Sequence, residues 1–314
     1  ASQDGLCCVD TLHRVTITGL EKNTTYFYRV LSQEVKELLP YRPVLGNIVS
    51  TDIWEKPLTF TTLDGRQETL SIVMINDIHG KNDLQKKLLE MAPPQNVDMV
   101  VFCGDMCNYI NKQSDIFTGF LDTSVGLFAS RKPFVYVRGN HETRGAYARN
   151  FFRYLAGPEG KFYYAFTYGP IRFIVLDSGE DKPDTDVEYS GLVDFDNYIL
   201  EQKEWLAREL ESPEFRAASF RVVLSHIPFG KGSWYGSERL RKQLLPLLES
   251  VRIDLMLSGH NHAFGFMDKG KVTAFPIIVN SNNSVLTMFG SKDLLKVQVK
   301  QIDGKVLLEK EFSK

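Results

Sequence analysis

The segment "IDLMLSGHNH" at residues 253–262 changes abruptly from apolar residues to metal-ligating residue types. Its first half is a short apolar run of the kind that forms a buried strand. Its end supplies His260 and His262, two of only six histidines in the 314-residue chain. Side chains two apart on an extended segment point the same way, so we predict that this strand end delivers both imidazoles to one edge, with Gly259 giving the turn its freedom.

Four more apolar segments are followed in the same way by polar side chains. They are "TLSIVMIN" (69–76), "VDMVVFCG" (97–104), "PFVYVRG" (133–139) and "SFRVVLS" (219–225). In open α/β sheets, ligands bind at the carboxyl ends of the strands. If the five strands share one sheet, eight side chains converge on one edge: Asp77, His79, Asp105, Asn140, His141, His226, His260 and His262.

A metal centre accounts for this set better than eight separate structural roles do. A single Asp or His at a strand end commonly caps a turn, but so many imidazoles and carboxylates packed without cations would carry large repulsion and desolvation penalties. The set contains no thiolate, which favours ions such as Mn, Fe or Zn. Seven ligands drawn from these eight side chains are too many for one tetrahedral ion. They suit two divalent ions about 3.5–4 Å apart that share a carboxylate.

The same segments carry a family resemblance, which covers roughly residues 69–290. They are similar, in order, to the five sequence blocks of the calcineurin-like metallophosphoesterases: "DIH" (77–79), "GD" (104–105), "GNHE" (139–142), "SH" (225–226) and "GHNH" (259–262). The resemblance implies an α/β fold, a layered β-sandwich flanked by helices. A β-rich segment in front makes the chain most similar to the purple acid phosphatase branch, which has a fibronectin type III-like N-terminal domain.

The resemblance also implies a role for each of the eight side chains. The ligands implied for one metal are Asp77, His79, Asp105 and His262. Those implied for the second are Asp105, Asn140, His226 and His260, with Asp105 bridging the two ions. The remaining residue, His141, would contact the phosphate and protonate the leaving oxygen without binding metal.

Two departures from the purple acid phosphatase pattern are visible. Those enzymes have a tyrosine ligand three residues after the bridging aspartate, where this chain has Asn108, with Tyr109 one position late. They also lack the histidine that this chain has as His79. We therefore expect no colour from a tyrosinate–iron bond and a metal site of the general metallophosphoesterase type.

These features predict a hydrolase acting on phosphoric ester bonds. Two divalent ions bring a charge of about +4, the carboxylates of Asp77 and Asp105 offset part of it, and the remaining field suits a phosphate. A water between two metals ionises near neutral pH, so a metal-bridging hydroxide could attack in line while His141 acts as general acid. For His141, a purely orienting hydrogen bond to a carboxylate is the alternative.

We expect a phosphomonoesterase acting on a small phosphorylated substrate. A phosphodiesterase or nucleotide pyrophosphatase on the same site is the first alternative. A non-catalytic metal-binding scaffold is the second, although such a protein would be expected to have lost ligands. The net charge of −2 provides no basic field, so nucleic acid is not expected as a partner.

Periodicity divides the chain into residues 1–65 and residues 66–314. In the first part we predict a partial fibronectin type III-like β-unit in which Tyr26 forms the corner of the sandwich; an ordinary hairpin is the alternative. Its strands are predicted at "HRVTI" (13–17), "YFYRV" (26–30) and "LTFTT" (58–62), with a short helical turn at "SQEVKELL" (32–39). The second part alternates strands with helices, which is typical of a layered α/β domain.

Location and membrane association are predicted from the termini and the apolar runs. The opening "ASQDGLCCVD" has no basic or apolar signal region, so we expect no signal peptide in this chain, whether or not one was removed. The apolar runs are too short to span a bilayer. Four cysteines do not form a disulfide framework. The fibronectin-like segment alone favours an extracytoplasmic, periplasmic or secreted location.

Weaker candidates surround the predicted metal centre. Arg138 and Arg144 flank "GNHE", and Arg144 is the better candidate for holding a phosphate oxygen, with a surface ion pair as the alternative. Trp234 and Tyr235, in the loop at 228–236, could form an apolar wall for the substrate. Glu142 could orient a ligand histidine or cap the following helix. The acidic segment "GEDKPDTDVEY" (179–189) is expected to be an inserted loop.

Overall fold

A computed structural model describes residues 2–3, 5–63, 67–230, 232 and 234–314. The chain divides into two compact units, Ala1–Arg66 and Gln67–Lys314. Residues 64–66, where the sequence predicts the boundary between the two parts, lie outside the described residues. So do Lys231 and Ser233 of the predicted substrate-covering loop.

The described residues of the N-terminal unit form three two-stranded antiparallel sheets. They pair β1 with β2, β3 with β6, and β4 with β5, and the strand bounds are β1 (Ser2–Gln3), β2 (Leu6–Cys7), β3 (Thr25–Tyr28), β4 (Leu31–Glu37), β5 (Val44–Ser50) and β6 (Leu58–Thr61). None of the side chains described in this unit is fully buried, so these strands pair without enclosing an apolar core.

Two of the predictions for this unit are wrong. Residues 13–17 form no strand, because an alternating pattern needs a partner strand to satisfy its backbone, and none of the described residues pairs with this segment. The predicted helical turn at 32–39 lies largely in strand β4, since pairing with β5 outweighs local helix propensity.

The Tyr26 hydroxyl accepts a hydrogen bond from the backbone N–H of Glu21 at 2.8 Å.

The second unit contains twelve strands. Their bounds are β7 (Thr69–Ile75), β8 (Met99–Cys103), β9 (Phe134–Val137), β10 (Tyr164–Tyr168), β11 (Ile171–Leu176), β12 (Phe220–Ser225), β13 (Leu255–Ser258), β14 (Gly265–Met267), β15 (Ile277–Val279), β16 (Ser284–Ser291), β17 (Leu294–Gln301) and β18 (Val306–Ser313). The last two pair antiparallel across a turn at Asp303-Gly304, and Gly304 takes the left-handed backbone conformation (φ 92°) that this turn requires.

Helices connect these strands. The α-helices are α1 (Asn82–Met91), α2 (Gln113–Ile116), α3 (Asp122–Ser124), α4 (Phe152–Leu155), α5 (Phe195–Glu209), α6 (Pro213–Ala217), α7 (Tyr235–Gln243) and α8 (Leu245–Glu249). Two π-helical segments, Phe117–Leu121 and Val125–Ala129, continue α2 and α3. Short 3₁₀ turns are Pro94–Asn96, His141–Thr143, Ala148–Asn150, Pro158–Gly160 and Val187–Tyr189. In the described part of the chain, no helix has the length and apolarity needed to cross a membrane.

The strands of the second unit form two six-stranded mixed sheets, as the predicted sandwich requires. Their strand orders are β18-β17-β16-β7-β8-β9 and β10-β11-β12-β13-β15-β14. Strands β7, β8 and β9 are parallel in the first sheet, and β11, β12, β13 and β15 are parallel in the second. The five predicted ligand-bearing strands are therefore divided between the sheets.

Alternate side chains of each sheet enter different cores. Along β7, Ile72 and Met74 contribute to a core that also contains Phe173 and Leu224 of the opposite sheet, so the two sheets pack face to face. The intervening Val73 faces a second core formed with the helices after β7 and β8. Helices α5, α7 and α8 cover the other sheet through a third core. The predicted layered α/β sandwich flanked by helices is confirmed.

Candidate metal centre

The carboxyl ends of strands from both sheets bring the predicted ligands together. They are Asp77 and His79 after β7, Asp105 after β8, Asn140 and His141 after β9, His226 after β12, and His260 and His262 after β13. Asp, Glu, His and Cys side chains of the described residues form three groups whose ligand atoms lie within 4.8 Å of one another: Asp77–His79–His262, Asp105–His226–His260 and His79–Asp105–His141.

Five of these residues have left-handed backbone conformations. They are Asp77 (φ 54°), His79 (φ 51°), Asp105 (φ 55°), His260 (φ 71°) and His262 (φ 54°). Such conformations are unfavourable for residues other than glycine, by on the order of 1 kcal/mol or more, and they concentrate at functional sites. The sequence suggested that the "GHNH" segment is extended, but these backbone conformations show that it is not. Strand β13 ends at Ser258, and a left-handed backbone at each histidine directs the imidazoles.

Asp77 is at the centre of the first group of ligands. Its Oδ1 lies 3.2 Å from Nε2 of His262 and 4.0 Å from Nε2 of His79. The two histidine Nε2 atoms are 3.1 Å apart. Three ligand atoms therefore face one small volume, as they would around a cation.

Asp105 is at the centre of the second group. Its Oδ2 lies 3.1 Å from Nε2 of His226 and 3.9 Å from Nε2 of His141. The rings of His226 and His260 are 5.2 Å apart between centroids. His226 Nδ1 lies 2.7 Å from the carbonyl oxygen of Cys103, so Nδ1 carries a proton that it donates there and Nε2 faces Asp105.

The donor set fits a cation in both groups. Three atoms that would serve as ligands are buried without a hydrogen-bond partner: Asp77 Oδ1, Asn140 Oδ1 and His226 Nε2. Buried polar atoms are seldom left without partners in proteins, and a bound ion is one accepted explanation when they are. Oxygen and imidazole ligands suit Mn, Fe or Zn.

The charges of the site perturb its histidines in opposite directions. Burial lowers the pKa of His79 and of His260 to about 4, so both imidazoles are neutral at pH 7. Burial acts on His226 in the same direction, but the carboxylates of Asp105 and Asp77 outweigh it and raise its pKa to about 10. The pKa of Asp105 is lowered, because the histidine charges outweigh its burial.

His141 lies at the edge of the centre with both ring nitrogens engaged. Nδ1 is 3.0 Å from the carbonyl oxygen of Asn108 and so carries the donated proton. Nε2 is 3.2 Å from Nη1 of Arg144. Its backbone N–H donates to Oδ1 of Asp105 at 3.0 Å. These contacts hold the ring, with Nδ1 as the donor to Asn108 and Nε2 as the acceptor from Arg144.

Arg144 is bound by two carboxylates that are not among the residues predicted for the site. Its Nε and Nη2 donate to the two oxygens of Glu180, both at 2.8 Å, and Nη2 also contacts Asp181 at 3.2 Å. The acidic segment at 179–189, expected to be an inserted loop, is buried at its start, at Glu180 and Asp181. Only Nη1 of Arg144 is directed at His141.

Glu142 supports the backbone of the ligand-bearing loops. It is fully buried and accepts hydrogen bonds from the backbone N–H groups of Asp105, Cys107 and Gly139 at 2.9, 3.0 and 2.8 Å. Burial and the nearby Asp105 charge raise its pKa to about 7 against the effect of these donors. The carboxylate therefore connects the turns after β8 and β9, rather than orienting a histidine directly.

The other candidates occupy different positions. Arg138 forms an ion pair with the buried Asp177 at 2.6 Å and stacks over Phe162. The Tyr235 hydroxyl donates to Asp196, at 3.0 and 3.1 Å from its two oxygens. Trp234 lies beside His260, with ring centroids 5.9 Å apart.

A cavity of about 710 Å³ opens over the centre. Its metal-side wall includes Asp105, Asn140, His141, His260 and His262, while its other lining residues are Asp181, Pro228, Gly230, Gly232, Trp234, Ser237, Asn261, Gly265, Phe266, Met267 and Val279. One wall can therefore bind ions and phosphate, whereas Trp234, Phe266 and Met267 offer apolar surface to the rest of a ligand.

The chain belongs to the calcineurin-like phosphoesterase family, a class of hydrolases acting on phosphoric esters. The family match covers residues 70–264, which contain all eight predicted site residues and more than half of the chain. The fold and the site therefore define the class of protein.

Curated relatives are purple acid phosphatases of plants. The chain is 24% identical to purple acid phosphatase 22 of Arabidopsis thaliana over 81% of this chain and 53% of that protein, and 22% identical to purple acid phosphatase 23 of the same plant over 82% and 58%. The chain thus spans little more than half the length of these relatives. Among solved structures, it resembles TT1561 of Thermus thermophilus, with a TM-score of 0.46 and 16% identity, over 74% of this chain and 99% of that one.

Proposed function

We propose that the chain is a dinuclear metal-dependent phosphomonoesterase acting on small phosphate esters, with His141 as general acid. The observation that carries the proposal is the convergence of seven ligand-type side chains, among which the buried atoms Asp77 Oδ1, Asn140 Oδ1 and His226 Nε2 have no hydrogen-bond partner in the described part of the chain. Two divalent ions, Mn, Fe or Zn, would pair with these atoms. Asp77, His79 and His262 would hold one ion, Asn140, His226 and His260 the other, and Asp105 both.

When bound, the ions would supply positive charge for the phosphate and lower the pKa of a water to near neutrality. The chain itself would supply orientation and a proton. The Asn108 carbonyl holds the Nδ1 proton of His141, so the proton for the leaving oxygen would be carried on Nε2, in place of the hydrogen bond that Nε2 accepts from Arg144. Arg144 Nη1 is close enough to contact a substrate oxygen beside His141, and Trp234 would cover the apolar part of the substrate.

Metal analysis combined with a panel of p-nitrophenyl esters tests the proposal. The purified protein, reconstituted with Mn²⁺, Zn²⁺ or Fe²⁺, should hold about two ions per chain and hydrolyse the monoester faster than the diester. Faster hydrolysis of the diester, or of a nucleotide pyrophosphate, would reassign the substrate. Two bound ions without turnover of any ester would favour the non-catalytic scaffold, and less than one ion per chain would overturn the proposal.

For the N-terminal unit we propose a partial fibronectin type III-like fold and, with it, an extracytoplasmic location. The hydrogen bond from Glu21 N–H to the Tyr26 hydroxyl supports the first part, because a corner tyrosine of this kind bonds back to nearby backbone in such sandwiches. Replacing Tyr26 by Phe should destabilise this unit while leaving metal binding unchanged. Fractionation of the cells that produce the protein tests its location.

A further inference from the structure

A buried row of hydrogen-bonded polar side chains lies behind Asp77. The function proposed above assigns no role to these side chains. The row consists of Asn76, Asn280 and Ser284, none of which is exposed to solvent. Asn76 Nδ2 donates to Oδ2 of Asp77 at 2.6 Å and to the carbonyl oxygen of Asn280 at 3.1 Å. Asn280 Nδ2 donates to Oδ1 of Asn76 at 2.8 Å.

The hydrogen bonds determine how both amides are oriented. Asn280 Nδ2 also donates to the carbonyl oxygen of Ser284 at 3.0 Å, and Asn280 Oδ1 accepts from the Ser284 hydroxyl at 2.7 Å. Flipping Asn76 would place its Oδ1 against the Asp77 carboxylate and its Nδ2 against the Asn280 amide group. Two acceptors and two donors would then face each other, so Asn76 is held with its N–H toward Asp77.

The two oxygens of Asp77 consequently have different surroundings. Oδ2 accepts from Asn76 Nδ2 and from the backbone N–H of His260 at 2.9 Å. Oδ1 has no hydrogen bond although it is buried, and it faces His262 and His79. One oxygen is thus committed to the protein and the other is directed into the site.

Gly259 is required for this arrangement by close approach. A Cβ at this position would lie 2.8 Å from both Asn76 Nδ2 and Asp77 Oδ2. The prediction that Gly259 supplies turn freedom is wrong: its φ is not among the positive ones, whereas that of His260 is. Strand β13 therefore ends against the Asn76 amide, which places the His260 N–H on the Asp77 carboxylate.

We propose that Asn76, held by Asn280 and Ser284, is a positioning residue that presents Asp77 Oδ1 to the first metal ion. This inference rests on the proposed metal site at Asp77, His79 and His262. Hydrogen-bond partners behind a ligand orient it, and their loss typically lowers metal affinity 10–100-fold. Without the Asn76 donor, the carboxylate could rotate and Oδ2 would compete with Oδ1.

Calorimetric titration of the metal-free chain with Mn²⁺ tests this role. The binding step that the wild type shows and Asp77→Asn lacks is assigned to the first ion. Asn76→Ala should weaken that step about 10–100-fold and leave the step that depends on Asn140 and His226 nearly unchanged. Asn280→Ala should weaken the same step. The double variant should be no worse than Asn76→Ala, because both residues act through one chain of hydrogen bonds.

Gln85→Ala is the matched control. Gln85 is another fully buried amide with its own hydrogen bonds, to Ser124 and the Phe120 carbonyl, and neither of these partners is a candidate ligand. If Asn76→Ala and Gln85→Ala change both steps alike, the effect is general destabilisation and the inference is overturned. It is also overturned if Asn76→Ala binds as the wild type does. Absence of metal binding in the wild type would instead overturn the proposed function.

Discussion

His141 is held from both sides of its ring, which makes its contribution separable from that of the ligands. Nδ1 faces the Asn108 carbonyl, and Nε2 faces an Arg144 side chain whose charge is offset by Glu180. We predict that His141→Ala retains metal, because its side chain is needed for a proton and not as a ligand.

The expected kinetic effect of His141→Ala depends on the leaving group. General acid catalysis contributes about 10²–10⁴-fold, and it matters most when the leaving alkoxide is a strong base. Hydrolysis of an alkyl phosphate should therefore fall much more than hydrolysis of p-nitrophenyl phosphate, as measured by kcat for the two esters. Equal losses for both esters, or loss of bound metal, would contradict the assignment.

We predict that metal binding at His226 is accompanied by the release of a proton. Because Asp105 and Asp77 raise its pKa to about 10, His226 is protonated in the metal-free protein at pH 7, whereas a metal ligand must be neutral. His79 and His260, with pKa values of about 4, have no such proton to lose.

The sign of the pH dependence follows from this difference. The raised pKa stabilises the metal-free fold below the ordinary histidine pKa, and that contribution disappears as the pH rises through about 10. Metal affinity should accordingly rise with pH from about 7 towards 10. Calorimetry in buffers of different ionisation enthalpy should show about one proton released for the ion bound by His226; a value near zero would contradict the shift.

At the scale of elements, Glu142 connects the turns after β8 and β9. Its carboxylate accepts three backbone N–H groups, and Glu142→Gln would place an NH₂ group against at least one of them. We predict a loss of about 1–3 kcal/mol in the free energy of unfolding and weaker binding of the ion at Asp105. Glu249→Gln is the control, since Glu249 accepts one N–H, from Ala274, outside the site.

The strands and their polar ends could be predicted because both signals are local in the sequence. An apolar run followed by a polar residue such as Asp77 or His226 can be recognised within a few residues of sequence. Strand pairing is different, since β7 lies beside β16 from the far end of the chain, and no local pattern encodes that choice. This is why the sequence left open whether the five ligand-bearing strands share one sheet, whereas they are divided between two.

The residues that support the ligands were missed for a related reason. In the sequence, Asn76 looks like an ordinary turn residue at the end of a strand, and Glu180 like part of a solvated acidic loop. Their roles depend on Asn280 and Arg144, which approach them only in the folded chain. The left-handed backbone at His260 and His262 was equally hidden, because an extended strand end was the simplest interpretation of "GHNH".

At the scale of the whole molecule, the predicted site lies in one of the two units. All eight predicted site residues and all three hydrophobic cores lie within Gln67–Lys314. We predict that residues 67–314 fold by themselves and bind metal with an affinity close to that of the full chain. Thermal unfolding and calorimetry of that segment test this, and failure to fold would show that the core needs the first unit.

The left-handed backbone at five ligand positions restricts how this centre can change during evolution. Aspartate and histidine are among the few residues other than glycine and asparagine that accept such a backbone more often, and here they are also the candidate metal ligands. A substitution to glutamate or cysteine would preserve a competent donor atom but meet an unfavourable conformation. The accessible variants therefore stay within oxygen and imidazole chemistry, and a thiolate-rich descendant of this centre would first have to rebuild the turns that carry it.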